Sequence, residues 1–493
     1  GVRVTVDEEL LRPVEFRIGA RAAGLSKSGG RHSQTYPRLI ASDGTELEPR
    51  TMRPGSRAFR FAVVCWVGAL FFVLAAARPI IQGHGSGTTS QVTLDLLSVF
   101  WAIQFVSAAI GLIGLLWPRQ QPHTPVSTLA HEMNGRLVSF RIVTRGQNLD
   151  ALRWSIRSVQ AEMSALPVFE YVIELATDRI VDDIDPSVVQ LVTPTEYQTP
   201  GGARYKARAL HYALTASAIP SDAWIFHLDE ESHITTSVIM GIAEAIVEEE
   251  RTGQLRVGQG AILYHRDFRR HPLLTLADTL RTGEDLGRYY LQQRIGRAVF
   301  GLHGSFILAR NDVEGAVGFD LGPQGSITED AWWALLEMDR GVRTRWIDGF
   351  VVEQSTQSAG DFVKQRRRWF LGLVRVVLHA PVAAQHRFWL ALLVATWAAM
   401  PLSIFGVLFQ LWTDARPPTA LFYAGVASFA IFATHYCVGL QLNLQHHRVR
   451  WGWRRLCLYV GQLLLLPAFA LLETAALVYA FMEPGYDFHV VRK

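Results

Sequence analysis

The chain contains five long apolar runs, at residues 61–77, 96–117, 388–412, 419–444 and 456–482. The first three carry no charged side chain, and the last carries only Glu473. About 20 apolar residues span a bilayer, so the pattern predicts two membrane helices within 57–117 and about three within 388–482. Buried helices of a soluble protein are the alternative, but these rarely remain uncharged over such lengths.

Arginines are concentrated before the first run and between the last two, at Arg50, Arg53, Arg57, Arg60, Arg448, Arg450, Arg454 and Arg455. The positive-inside rule therefore predicts an integral membrane protein, in the plasma membrane if its source is bacterial. It places the tail 1–56 and the segment 118–375 in the cytoplasm. Five complete crossings would leave the tail 483–493 outside. Gln462, Pro467 and Glu473 interrupt the last run, however, so a re-entrant path stays open. Within the membrane, Glu473 is also a candidate for polar pairing or acceptor contact.

Between the second and third runs, apolar β-branched segments alternate with helical patterns. Strands are predicted at 137–143, 171–176, 223–228, 256–263 and 304–309, and helices at 149–165, 203–217 and 235–250. This alternation predicts an α/β domain with a largely parallel sheet over 118–375, followed by an interfacial connection at 376–387. Ligands of such sheets bind beyond the carboxyl ends of the strands, where Thr144-Arg145, Asp178 and Asp229-Glu230-Glu231 follow.

The acidic triplet Asp229-Glu230-Glu231 follows a predicted strand. Alternate residues of an extended segment point to the same side, so Asp229 and Glu231 can share one ion. Oxygen ligands suit Mg²⁺ or Mn²⁺ bridging a diphosphate. The alternative is an acidic start to the following helix.

Two further polar positions admit either a ligand or an ordinary structural role. Lys206 follows a glycine pair at a predicted helix start, where cations and free N–H groups suit a phosphate; a solvated helix face is the alternative. Asp178 can hydrogen-bond a base or ribose, or simply open a turn.

Thr328-Glu329-Asp330 and Gln365-Arg366-Arg367-Arg368-Trp369 are the two most informative motifs. A carboxylate that accepts a proton and a basic, aromatic clamp for an anion are what transfer from a phosphate-bearing donor requires. Taken alone, the first motif could cap a helix, and the second could be a membrane-flanking basic run with an interfacial tryptophan.

Overall charge and cysteine content exclude some classes. The net charge of +4 comes from membrane-flanking arginines, and no basic and aromatic pattern repeats as in nucleic-acid-binding proteins. The three cysteines, Cys65, Cys437 and Cys457, all lie in apolar runs, so they indicate neither a disulfide framework nor a thiolate zinc site.

The order of these motifs resembles glycosyltransferase family 2, in its membrane-integrated, cellulose-synthase-like group. The resemblance implies a GT-A-type, Rossmann-like catalytic domain joined to a helical transmembrane region. It implies Asp330 as the catalytic base and Asp229 with Glu231 as Mg²⁺ or Mn²⁺ ligands. The other implied residues are donor-binding Thr144, Arg145, Asp178, Lys206 and Asp229, a clamp of Gln365, Arg367, Arg368 and Trp369, and acceptor-side Glu329, Asp278 and Arg281. The final position of the family's DxD motif is here a glutamate, Glu231.

Short blocks that include Phe140–Gly146, Pro194–Tyr197, Gly258–Gly260 and Leu276–Arg281 are similar to the Egghead-type β-1,4-mannosyltransferases. That similarity implies inverting transfer of mannose from GDP-mannose onto a glycolipid or lipid-linked sugar in a β-1,4 linkage. A processive β-polysaccharide synthase, a polyprenyl-phosphate sugar transferase and a non-catalytic membrane scaffold remain the alternatives.

Overall fold

The computed structural model describes residues 53–78, 88–119, 124–264, 270–322, 325–447, 449 and 452–485. Nearly all of the predicted N-terminal tail and residues 486–493 lie outside the described residues. Within them, an α/β domain is joined to long apolar helices, which confirms the predicted combination.

One eight-stranded sheet forms the centre of the α/β domain, in the order β3-β2-β1-β4-β7-β6-β8-β5. The strands are β1 Leu137–Thr144, β2 Glu170–Thr177, β3 Val189–Val192, β4 Trp224–Asp229, β5 His233–Ile234, β6 Arg256–Tyr264, β7 Ile307–Arg310 and β8 Arg343–Glu353. The sheet is mixed, because β7 runs antiparallel to β4 and β6, and β5 antiparallel to β8. The prediction of a largely parallel sheet needs correction at the strand predicted for 304–309. Because β7 begins beside the carboxyl end of β4, it runs antiparallel to β4.

Helices cover both faces of the sheet. In order they are α3 Val126–Glu132, α4 Leu149–Ala165, α5 Tyr205–Ala216, α6 Thr236–Thr252, α7 Pro272–Glu284, α8 Tyr290–Ile295, α9 Asn311–Val317, α10 Glu329–Asp339 and α11 Ala359–His379. Strand alternation divides the core: Phe140 and Ile142 of β1 pack with α4 and α6, whereas Val143 packs with Leu210 of α5 and Trp333 of α10. The predicted helix at 149–165 begins after Asn148, whose side chain accepts from the Ala151 N–H.

Five helices are long and apolar enough to cross a membrane. They are α1 Arg57–Ala76, α2 Thr88–Leu116, α12 Ala384–Trp412, α13 Thr419–His446 and α14 Trp453–Met482. They coincide with the five predicted apolar runs and fit an integral membrane protein.

The apolar helices press closely on the α/β domain around a π-helical turn, Asp285–Tyr289, between α7 and α8. A Cβ atom placed on Gly439 of α13 would lie 1.9 Å from the carbonyl oxygen of Thr279, and one on Gly114 of α2 would lie 1.9 Å from that of Gly287. Only glycine permits these approaches. The domain and the helices therefore meet through backbone contact, without a flexible linker at these points.

Candidate active site

The carboxyl ends of β1, β2, β4, β6 and β8 meet at one edge of the sheet. Thr144 pairs in register with Thr177, and Val143 with Asp229. Tyr264 and Glu353 pair at the same edge. A cavity of about 610 Å³ opens there and is lined by Thr144, Asp178, Asp229, Glu231 and other polar residues. The parallel register thus brings together the strand-end residues that the sequence predicted.

Lys206 lies at the centre of a group of carboxylates. Its Nζ donates to Asp229 Oδ1 at 2.5 Å and to the carbonyl oxygen of Gly304 at 2.7 Å, and it lies 3.9 Å from Glu329 Oε1. A Cβ atom on Gly304 would lie 2.9 Å from Lys206 Nζ and 3.1 Å from Asp330 Oδ2. Glycine at position 304 therefore leaves room for Lys206 and Asp330 to approach the same space.

Burial and mutual charge shift the pKa values of this group. Burial lowers the pKa of Lys206, but the charges of Asp229 and Glu329 raise it more, so the ammonium stays protonated. Burial raises the pKa of Asp330, against the opposing charge of Lys206. Burial and the charge of Asp330 raise the pKa of Glu329. Two neighbouring carboxyls with raised pKa values in a cavity are typical of acid–base chemistry.

Asp330 occupies the first turn of α10. A helix cap was the alternative role for the Thr328–Asp330 motif. Thr328 is the N-cap residue, but its side chain makes no capping hydrogen bond. Asp330 Oδ1 accepts from the N–H of Ala331 at 2.8 Å, and the side chain lines the cavity. The motif thus directs the Asp330 carboxylate towards the cavity, and the Thr328 side chain does not cap the helix.

A second polar group lies at the ends of β1 and β2. Asp178 Oδ1 accepts from Arg208 Nη2 at 2.6 Å, and Arg145 Nε lies 4.0 Å from Asp178 Oδ2. Thr144 Oγ1 donates to Glu230 and accepts from the N–H of Gly146 at 2.8 Å. Lys206 belongs instead to the group at the end of β4, so the predicted donor-binding residues divide between two neighbouring parts of one cavity.

The oxygen chemistry at the end of β4 fits a divalent cation. Asp229, Glu230 and Glu231 all line the cavity. No group of three His, Cys, Asp or Glu residues that could hold a metal occurs among the residues the structure describes. Mg²⁺ is commonly held by one or two carboxylates together with substrate phosphates, so a complete protein cage is not required. Asp229 and Glu231 fit this kind of site.

The arginines of the Gln365–Trp369 motif point in different directions on α11. Gln365, Arg368 and Trp369 line the cavity, whereas Arg367 does not. Burial lowers the pKa of Arg368, and the charges of Glu329 and Asp229, which line the same cavity, act in the opposite direction. Arg367 Nε donates to the carbonyl oxygen of Glu483 at 3.1 Å, just beyond α14. Successive helical residues point about 100° apart, which separates the two guanidinium groups.

The two predicted acceptor-side residues of α7, Asp278 and Arg281, also lie in different surroundings. Arg281 lines the cavity, and its guanidinium lies 4.3 Å from the ring centroid of Trp369. Asp278 is buried outside the lining and accepts from Arg366 Nη2 at 2.5 Å. Glu329, the third, is buried beside Asp330 and Lys206.

Several titratable side chains of the cavity were not predicted from the sequence, among them Glu353 and His303. Glu353 ends β8, and its Oε1 accepts hydrogen bonds from Ser305 and, at 3.2 Å, from Ser232. The apolar pair Val351-Val352 ahead of Glu353 was a weak strand signal that could have located it. His303 Nε2 lies 2.5 Å from Asp285 Oδ1. No sequence signal predicts the contact between these two residues, because Asp285 is brought to His303 by the π-helical turn.

Two residues close to Lys206 and Gly304 in the chain have a strained backbone. Tyr205 and Phe306 adopt φ values of 53° and 59°, in the left-handed region that bulky residues avoid. Such residues cost about 1–3 kcal/mol each and cluster at functional sites. The strain lies beside Lys206 and Ser305, which both line the cavity.

The cavity also extends between the apolar helices. Gln104 of α2, Trp397 and Met400 of α12, Phe432 of α13 and Glu473 of α14 line it there. Gln104 lies twelve residues before Leu116 at the end of α2, or roughly 18 Å along the helix. The same space is therefore charged at the sheet and largely apolar among the helices.

Comparison with known proteins gives a family match, two relatives and a solved structure. A family described as "Glycosyl transferase family group 2" matches residues 224–482, from the start of β4 to the end of α14. The β-1,4-mannosyltransferase bre-3 of Caenorhabditis elegans is 31% identical over 367 residues, covering 72% of this chain and 78% of that protein. The β-1,4-mannosyltransferase egh of Drosophila melanogaster is 27% identical over 411 residues, covering 83% and 89%. A solved structure of the mannosyltransferase PcManGT from Pyrobaculum calidifontis, with GDP-Man and Mn²⁺, covers 80% of this chain and 99% of its own, with a TM-score of 0.44 and 12% identity.

Proposed function

The chain belongs to glycosyl transferase family group 2, and we propose that it is an inverting mannosyltransferase of the membrane. It moves mannose from GDP-mannose onto a glycolipid or lipid-linked sugar and forms a β-1,4 linkage. The donor sugar and the linkage rest on the relatives, which are β-1,4-mannosyltransferases. The observation that carries the proposal is the single cavity with Asp330, Lys206 and Asp229 at one end and apolar helices around the other.

Asp330 is the general base of this reaction. Its carboxylate takes the proton of an acceptor hydroxyl, and the hydroxyl oxygen bonds to the anomeric carbon of the donor sugar. The bond from that carbon to the diphosphate breaks on the opposite face, and the nucleoside diphosphate leaves with the electron pair. An α-linked donor thus yields a β-glycoside. The raised pKa of Asp330 favours its role, because a carboxylate of higher pKa is a stronger base.

Cationic side chains stabilise the diphosphate as it departs. Arg368 faces the carboxylate group from α11, and Trp369 follows it along the cavity wall. A guanidinium can bind phosphate oxygens through two parallel hydrogen bonds. Thr144, Arg145 and Asp178 hold the nucleotide end at the ends of β1 and β2.

Asp229 and Glu231 would hold a divalent cation, Mg²⁺ or Mn²⁺. A cation bound there supplies positive charge that offsets the charge of the diphosphate. Lys206 keeps Asp229 in place through its hydrogen bond at 2.5 Å.

The α/β domain, a GT-A-type domain in this proposal, lies on the cytoplasmic side, where nucleotide sugars are made. The arginines that flank the apolar helices support this orientation. The donor then arrives from the cytoplasm, and the lipid-linked acceptor arrives from the bilayer.

Nucleotide release from a panel of nucleotide sugars, with purified protein in detergent, tests the proposal. Release of GDP from GDP-mannose that depends on an added β-glucosyl lipid is expected. Release from another donor alone would refute mannose transfer, and a product longer than one added sugar would favour the processive synthase. No release from any donor would favour the scaffold.

A further inference from the structure

Glu473 is the one charged residue among the apolar residues 456–482 of α14. Its Oε1 accepts from Arg366 Nε at 2.8 Å. Its Oε2 is enclosed and has no hydrogen-bond partner among the described residues. A buried carboxylate oxygen without a donor is costly, so such an atom indicates either a structural compromise or a missing ligand.

The surroundings of Glu473 favour a ligand. Arg366 is already shared, because its Nη2 donates to Asp278 Oδ1 at 2.5 Å and its Nη1 to Gln365 Oε1 at 3.1 Å. One arginine thus lies between two carboxylates. Glu473 lines the cavity, whereas Asp278 does not. Of the two carboxylates bound by Arg366, Glu473 is therefore the one that borders the open space.

The open space next to Glu473 suits a sugar. The ring of Trp369 lines the cavity, and the guanidinium carbons of Arg281 and Arg366 both lie 4.3 Å from its centroid. The ring is thereby fixed on the wall that Gln365 and Arg368 also form. Because two guanidinium groups lie over that ring, hydrogen bonds to Glu473 are the contact that this wall offers a sugar, since a carboxylate accepts from hydroxyl groups.

We propose that Glu473 determines acceptor specificity, by accepting a hydrogen bond from a hydroxyl of the acceptor sugar through Oε2. Arg366 is a positioning residue that holds the carboxylate in this orientation. The inference rests on the proposed transfer to a lipid-linked sugar and narrows its acceptor. An ionised phosphate has no hydrogen to donate to Oε2, so the group that binds there is a hydroxyl of a sugar on a lipid and not a polyprenyl phosphate.

The test compares Glu473→Gln with Gln462→Leu in the purified full chain. Gln462 lies on the same helix and donates to the carbonyl oxygen of Leu276 at 3.2 Å, but it does not line the cavity. With a β-glucosyl lipid in micelles as the probe, Glu473→Gln is expected to raise the acceptor KM about ten- to a hundredfold, the size of a hydrogen bond to a charged group. Gln462→Leu is expected to lower the thermal midpoint without a comparable change in that KM.

Arg366→Lys adds a second arm. A lysine keeps the charge but cannot bridge Asp278 and Glu473, so a rise in acceptor KM is expected with little change in the KM for the nucleotide sugar. An acceptor KM for Glu473→Gln within twofold of wild type would overturn the proposal. Efficient mannosylation of polyprenyl phosphate by the wild type would also overturn it. Wild-type protein that transfers no sugar from any donor would instead refute the proposed function.

A separate set of contacts concerns the path of α14. Gln462 bonds to α7, Glu473 to α11, and the carbonyl oxygen of Gly485 accepts from Arg367 Nη2 at 2.8 Å. The rings of Phe370 and Phe481 lie 5.6 Å apart between centroids. The helix is 30 residues or roughly 45 Å long, yet it touches helices of one α/β domain from Gln462 onwards to its end.

From these contacts we infer that α14 lies along the membrane-facing surface of the α/β domain, and that its carboxyl end remains on the domain's side of the bilayer. A crossing helix would carry Glu483 about 30 Å away, to the other side. Glu483 and Gly485 therefore lie on the side that holds the carboxylates.

Cysteine accessibility tests this path in sealed vesicles. In a background without Cys65, Cys437 and Cys457, Glu483→Cys is compared with Asp182→Cys in the α/β domain and Asp414→Cys between α12 and α13. All three positions are exposed, and Arg367 binds only the backbone of Glu483. A membrane-impermeant maleimide is expected to label Glu483→Cys together with Asp182→Cys. Labelling together with Asp414→Cys would refute the inferred path.

Discussion

The two ends of the cavity are built by different means. At the sheet end, parallel strands finish in register and bring Thr144, Asp178 and Asp229 to one edge. At the membrane end, apolar helices supply Trp397, Met400 and Phe432, and Glu473 is the one charged side chain that these helices contribute to the lining among the described residues. The sheet end fixes charges for chemistry, and the helix end offers a route for a lipid. Variants at the two ends should therefore alter different kinetic constants.

The largest effect is expected at the sheet end, for Asp330→Asn. An amide cannot take the acceptor proton, so kcat should fall by about a thousandfold while binding of GDP changes little. Asp339→Asn, a matched change at the far end of α10, should keep near-wild-type activity. Calorimetric binding of GDP and single-turnover transfer separate the effects. Lost GDP binding with retained turnover would contradict the assignment of Asp330 as the base.

Removal of the divalent cation should have the next largest effect. We expect excess chelator to reduce transfer by about a hundredfold, with recovery on addition of Mn²⁺ or Mg²⁺. Asp229→Ala should reproduce the loss without recovery, and Asp222→Ala, at an exposed position just before β4, should not. Full activity in excess chelator would rule out the cation.

A smaller effect is expected at the boundary between the two ends. Arg368→Lys keeps the charge but loses the fork of donors, so kcat/KM for the nucleotide sugar should fall about tenfold. Arg375→Lys, two turns further along α11, is the matched control because it does not line the cavity. Equal effects of the two changes would mean that Arg368 acts only through helix stability.

The smallest effect is a shift of the pH profile. Asp330 must be ionised to act as a base, and burial raises its pKa. As the pH is lowered, the rate of transfer should therefore begin to fall at a higher pH than it would with an exposed aspartate as the base. The charge of Lys206 lowers that pKa, and Lys206→Met should therefore move the acid limb of kcat/KM upward. A downward movement would show that Lys206 does not act on the base.

The sheet end was largely predictable and the helix end was not. A run of apolar residues that ends in acidic ones reveals a strand end, which is why Asp229 and Glu231 could be found. The directions of Arg367 and Arg368 depend on what lies beside α11, and that partner is the distant segment after α14. Likewise, the sequence marks Glu473 as an unusual charge in an apolar run, but its partner Arg366 is seen only in the structure. The end of a strand can be predicted from adjacent residues, whereas packing between helices depends on residues that are distant in sequence.

The most direct measurement of the central claim is mass spectrometry of the product made from GDP-mannose and a β-glucosyl lipid by the purified protein. We predict a lipid heavier by one hexose, with a β-configured linkage by NMR, and none of it with Asp330→Asn. An unchanged lipid, while another nucleotide sugar is consumed, would contradict the account.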